Sequence, residues 1–98
     1  MPRELIIRLE AEAELGEALE WYESRVQGLG SEFLLVIDST LANILRNPLQ
    51  HPLVHKDVRS TLLRRFPYKI FFVPGNRHVV VIAVFHAKRN PKRWTDRI

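Results

Sequence analysis

Hydrophobic positions along the chain change period twice. Glu4 to Leu9 (E-L-I-I-R-L) is short and rich in Ile and Leu, which predicts a strand. Ala11, Leu15, Ala18, Leu19, Tyr22 and Val26 then fall at spacings of three, four and seven, the stripe of an amphipathic helix. Glu10, Glu12, Glu14, Glu17, Glu20 and Glu23 take much of the remaining surface, and those in the first turn suit the positive end of the helix dipole. Gly28 and Gly30 punctuate its end. A second stripe follows through Phe33, Ile37, Leu41 and Ile44, widened by Leu34, Val36 and Leu45. Asn47-Pro48 stops it, because the residue before proline is pushed out of helical geometry. Two helices joined by so short a turn predict an antiparallel hairpin, with Trp21 and Tyr22 packed inside it.

The second half reads as sheet. Leu49 to Lys56, marked by Pro48 before it and by Pro52 and two histidines within it, is expected to be a loop. Val58–Arg65 and Tyr68–Val73 are candidate strands, and Pro74-Gly75-Asn76 makes a tight turn into a third, His78–His86. That last run, H-V-V-V-I-A-V-F-H, is apolar on both faces and predicts a central strand covered on both sides. The predicted order is β-α-α-β-β-β. It gives one α+β domain over residues 1–98, an antiparallel sheet with the helix hairpin on one face. Something must cover the other face, and the basic tail from Ala87 to Ile98, carrying Trp94, is the candidate.

Charge adds an asymmetry that periodicity does not show. Residues 1–47 hold 4 basic and 9 acidic side chains, whereas residues 48–98 hold 11 basic and 2 acidic. An acidic face and a basic face on one small body point to a polyanion or an acidic protein as partner. The chain has no cysteine, which removes disulfides, thiolate metal sites and cysteine nucleophiles and fits a reducing cytoplasm. No apolar run approaches the ~18 residues of a membrane span, and the first residues lack a secretory signal pattern. His51 and His55 are four apart, but Pro52 between them argues against the helix that this spacing needs to hold a metal; no metal and no cofactor is expected.

Four segments carry a family resemblance: Trp21-Tyr22-Glu23, Gly28-Leu29-Gly30-Ser31-Glu32-Phe33, Arg65-Phe66-Pro67-Tyr68, and His86-Ala87-Lys88-Arg89-Asn90-Pro91-Lys92-Arg93-Trp94. In this order and spacing they resemble the RelE/ParE superfamily of type II toxins, and most the ParE-like, plasmid stabilization branch. The resemblance covers nearly the whole chain. It implies a cytoplasmic bacterial toxin neutralised by a cognate antitoxin, with a toxin–antitoxin hetero-oligomer or a dimer as the assembly. It implies one of two targets: DNA gyrase for ParE-like members, or mRNA in the ribosome for RelE-like members, which are metal-independent endoribonucleases. Relatives that bind an antitoxin without toxicity are the third expectation.

RNA cleavage without metal needs a group to activate the 2′-hydroxyl, cations for the developing phosphate charge and an acid for the leaving oxygen. Lys69 stands where RelE-like nucleases carry an arginine, and Arg89 near their second. Trp94 stands about where they have a tyrosine, and an indole has no titrating hydroxyl. Thr61 and Leu63 occupy the strand that carries their paired lysines. The nuclease set is thus incomplete; if the chain is a nuclease, Lys69, His86 and Arg89 are its catalytic candidates. The alternative for His86 is a strand-end imidazole bonded to nearby backbone. Arg59, Arg64, Arg65, Lys88, Arg89, Lys92, Arg93 and Trp94 are the candidates for binding target or antitoxin. An ion pair from Glu23 to Arg59 or Arg89 is the expected structural use of part of this charge, with Arg97 among the remaining surface cations. The leading expectation is a ParE-like binding inhibitor of gyrase with no bond-breaking chemistry of its own.

Overall fold

The computed structural model describes residues 3–89 and 92–97, the side chain of Arg93 excepted. Strand β1 (Glu4–Ile7) leads into helices α1 (Leu9–Arg25) and α2 (Leu29–Arg46). A 3-10 turn at Pro48–Gln50 precedes β2 (Leu53–His55), β3 (Val58–Leu62), β4 (Tyr68–Pro74) and β5 (His78–His86), and a short helix α3 (Lys92–Thr95) is the last element described. The five strands form one sheet in the order β1-β5-β4-β3-β2. β2 to β5 are an antiparallel meander, and β1 runs parallel to β5, so the sheet is mixed. The segment expected to be a loop therefore contains an edge strand. It pairs because Lys56, in the left-handed region at φ 49°, turns the chain back onto β3, and Ser60 N–H bonds the Pro52 carbonyl at 3.2 Å.

The hairpin forms as its periodicity requires. Ala11, Ala18 and Tyr22 of α1 and Phe33, Ile37, Leu41 and Ile44 of α2 are buried against Ile70, Phe72, Val79, Val81 and Val84 of the sheet. Val26 falls just past the end of α1 and is exposed. Trp21 also departs from the expected packing: it is 50% exposed, edge-on to Tyr22, with the Arg25 guanidinium 4.6 Å from its ring centroid. The turn is held by Glu23, whose carboxylate accepts the N–H groups of Gly28 at 3.0 Å and Gly30 at 2.9 Å. Glu23 is thus a backbone cap for orphan donors at the start of α2, not the partner of Arg59 or Arg89. Gly28 supplies the left-handed turn at φ 89°, and a Cβ on Gly30 would lie 2.8 Å from Glu23 Oε1.

β5 is the central strand, buried on both faces. Its register against β4 slips between Phe71 and Phe72, which pair with Ala83 and Val81 and leave Ile82 as an extra residue. At such a bulge two residues oppose one. Val79, Val81 and Val84 consequently face the helices, while Ile82, Ala83 and Phe85 face the other way. The outer face is covered by the tail, as expected: Trp94 is 3% exposed and stacked on Phe71 with ring centroids 4.6 Å apart.

Candidate functional site

The strand-end residues of β4 and β5 bring the nuclease candidates together. On β4 the pleat sends Tyr68 to the helix face and Lys69 to the outer face, and in the register Tyr68 pairs with His86 and Lys69 with Phe85. Lys69, His86, Arg89 and Trp94 line one outer-face cavity of about 220 Å³, floored by Phe71 and Phe85. Arg89 lies over the Phe85 ring, 5.2 Å from its centroid. His86 Nδ1 accepts the backbone N–H of Lys88 at 3.2 Å, and its ring sits 5.4 Å from that of Tyr68. The strand-end reading of His86 therefore holds. In a neutral imidazole with Nδ1 accepting, the proton sits on Nε2. Trp94 closes the cavity from the tail side, and its indole N–H is buried with no partner among the described residues.

A larger cleft of about 460 Å³ opens on the helix side of the same strand ends. Its helix wall is Glu17, Trp21 and Tyr22 of α1, and its sheet wall is Tyr68, His86 and Arg89. Burial raises the Tyr68 phenol above the ordinary tyrosine range; Arg89 opposes this and Glu17 adds to it. Burial, and then Tyr68, raises Tyr22 in the same way. Neither Glu17 nor Tyr68 was expected in the site from the sequence, although Tyr68 lies in one of the segments that carry the resemblance. The only signal was Tyr68 directly before Lys69, where strand alternation puts one on each face.

The other basic candidates are scattered. Arg59 is structural: its guanidinium donates to the carbonyls of Leu49 at 3.2 Å and His51 at 2.7 Å. Arg64 borders a polar groove with Arg46 and His51, just past the end of β3. Arg65, at φ 69°, makes an exposed ion pair with Glu32 at 3.2 Å. Lys88 and Lys92 are exposed, and the side chain of Arg93 lies outside the described part of the chain. Arg97 is the cation the sequence misplaced. It binds Glu14 through two nitrogens, at 2.7 and 3.1 Å, and donates to the Ile82 carbonyl at 3.0 Å. The hydrogen bond it donates to Glu14, against the opposing effect of burial, raises its already high pKa further. Among the described residues no group of three or more His, Cys, Asp or Glu gathers to hold a metal, and no helix is long and apolar enough to cross a membrane.

In sequence, no family model and no curated protein matches the chain. Solved structures do match. A chain of the chromosomal ParDE toxin–antitoxin system from P. aeruginosa superposes with a TM-score of 0.74 at 16% identity, over 88% of this chain and 97% of that one. The chain has the RelE/ParE fold. A chain of the RelBE2 toxin–antitoxin complex from Mycobacterium tuberculosis gives 0.59 at 18% identity, over 88% of this chain and 99% of that one. The E. coli toxin RelE in its free state, with two arginines changed to alanine, gives 0.63 at 18% identity, over 100% of this chain and 99% of that one. Within this RelE/ParE fold the two cavities meet at His86 and Arg89, at the open end of the central strand.

Proposed function

We propose that the chain is the toxin of a type II toxin–antitoxin pair, of the ParE-like kind, which acts in the cytoplasm by binding DNA gyrase and is neutralised by a cognate antitoxin. The observation that carries this reading is the likeness to the ParDE chain, whose TM-score of 0.74 exceeds the 0.63 and 0.59 of the two Rel-type structures. The site agrees with action by binding. Trp94 is packed into the outer face and offers no proton-transferring group, while Arg89 and Lys88 stay exposed for an acidic or phosphate-bearing surface. The glutamate-rich hairpin and the exposed β2 edge remain for the antitoxin. The test is to induce the chain alone. DNA-damage signalling with trapped gyrase–DNA cleavage complexes, intact mRNA and rescue by the adjacent antitoxin gene are the expected results.

A second reading is favoured by one specific observation: Lys69, His86 and Arg89 line a single cavity. There Lys69 and Arg89 would stabilise phosphate charge in a ribosome-dependent endoribonuclease, and the His86 imidazole would take the 2′-hydroxyl proton and, as the imidazolium so formed, pass a proton to the leaving 5′-oxygen. Codon-specific mRNA breaks that vanish in Arg89→Ala and His86→Ala would establish this reading and defeat the gyrase proposal. Absence of any growth effect would leave an antitoxin-binding relative without toxicity.

A further inference from the structure

We propose that the helix-side cleft is a nucleotide-binding site: a guanine base lies in it against Trp21, Glu17 reads the base edge, and Arg89 with His86 holds the phosphate. The cleft's volume of about 460 Å³ lies within the ordinary range for small-ligand pockets. Trp21, Tyr22, Tyr68 and Pro67 bring rings to its walls. Trp21 stands out because it is 50% exposed although it lies beside the core aromatic cluster. Arg25 over the ring holds the indole in place without covering it fully. A half-exposed, pre-positioned indole in a cleft is a stacking platform, and every nucleobase has a face to stack on it.

Charge then chooses the base and the direction. Glu14, the other carboxylate on the helix wall, is already engaged by Arg97 and by the N–H of Val84. Glu17 makes no hydrogen bond or ion pair among the described residues, so its oxygens are open to a ligand. A carboxylate accepts two hydrogen bonds side by side. Guanine presents two adjacent donors, N1–H and the N2 amino group, on its Watson–Crick edge; adenine and cytosine set an acceptor next to their amino group. The sheet wall contributes the anion end, with the planar fork of Arg89 suited to two phosphate oxygens. Arg89 and His86 also border the outer cavity that holds Lys69, so a neighbouring phosphate of a longer strand continues over that rim. A single strand would thus lie across the end of β5 with one base turned into the cleft.

This site is independent of the target assignment, because it concerns mononucleotides and the isolated full-length chain. The experiment titrates the chain with GMP, AMP, CMP, UMP and ribose 5-phosphate, followed by tryptophan fluorescence and calorimetry. GMP is expected to quench the exposed Trp21 and to bind roughly tenfold more tightly than AMP or ribose 5-phosphate. Glu17→Gln should erase the preference for GMP over AMP while leaving ribose 5-phosphate binding unchanged, and Arg89→Ala should weaken all phosphate ligands. Trp21→Phe, which retains a ring, should keep binding but remove the quenching, since Trp94 is buried. Arg46→Ala, in the separate groove beside Arg64, should leave GMP binding within about threefold. The proposal is overturned if ribose 5-phosphate binds as tightly as GMP, if Glu17→Gln leaves base preference unaltered, or if no mononucleotide binds at millimolar concentration. None of those results would touch the toxin proposal, which growth arrest tests separately.

Discussion

Glu14 and Arg97, 83 positions apart, form a two-point ion pair along the flank of the central strand, and both also bond that strand's backbone. β1 pairs with β5 only from His78 to Val81. Beyond it, Arg97 donates to the Ile82 carbonyl and Glu14 accepts the Val84 N–H, so two side chains continue the ladder that β1 leaves unfinished. Removing either leaves a part-buried charge and a strand group without a partner. Arg97→Ala should lower stability by about 2–3 kcal/mol, read from chemical denaturation. A loss no larger than that of an exposed arginine would refute the role given to this pair.

The tail's own anchor is Trp94. Its stacking on Phe71 closes the outer core with Ile82, Ala83 and Phe85. Trp94→Ala should cost roughly 3–5 kcal/mol, and Trp94→Phe clearly less, because the phenyl ring can retain the stack. Equal and small effects in thermal melts would mark Trp94 as a partner contact instead of a core residue.

Gly30 packs against the carboxylate that caps its own N–H. Gly30→Ala should destabilise by about 1–3 kcal/mol, because the added carbon meets Glu23 Oε1 at 2.8 Å and the Leu19 carbonyl at 3.1 Å. Glu23→Ala should cost about 1–2 kcal/mol through two uncapped amides. The double variant should show a sub-additive loss, since both changes break the same Gly30–Glu23 contact.

Arg59 and Arg89 separate structure from function. Arg59→Ala should lower the melting temperature, since two loop carbonyls lose their donor. Arg89→Ala should leave the melting temperature nearly unchanged and reduce toxicity on induction. The reverse pattern would show that the site has been placed at the wrong cation.

Stability should fall at both ends of the pH scale for identifiable reasons. Burial, with Arg59 nearby, lowers the His51 pKa below the ordinary value of 6.5. The unfolded chain therefore binds that proton first, so this contribution is present above pH 6.5 and is lost as pH falls through the folded-state value. Tyr22 and Tyr68 are raised above 10.0, so their contribution is present below that pH and is lost as pH rises through their folded-state values. His51→Asn should flatten the acid side of a stability–pH curve and Tyr22→Phe the alkaline side. Unchanged slopes in both variants would remove this account.

Most of the architecture was legible because burial writes its period into the sequence. The helix stripes through Ala11–Tyr22 and Phe33–Ile44, and the doubly apolar run of β5, have no other economical reading. Direction is not written that way: nothing in E-L-I-I distinguishes a parallel from an antiparallel neighbour. Three-residue β2 is too short for any period to show, and Pro52 just before it pointed to a loop. In the site, the family resemblance gave Lys69 and Arg89, and the titrating imidazole gave His86. The sequence could not give Glu17 or Trp21, because they reach the cleft only where α1 packs on β5. Nor could it assign Arg97 to Glu14, since both lie among many residues of like charge.

The extra residue at Ile82 sets the phase of everything after it. Without it, strict alternation would turn Phe85 toward the helices and swing His86 to the opposite side from Tyr68. The bulge is invisible in the sequence because both residues it places side by side, Ile82 and Ala83, are apolar. Natural variants should therefore conserve the count of residues between Val79 and His86 more strictly than their identities. A single deletion there is expected to be worse than several substitutions, and a compensating insertion two positions downstream should restore more of the activity than any change of side chain.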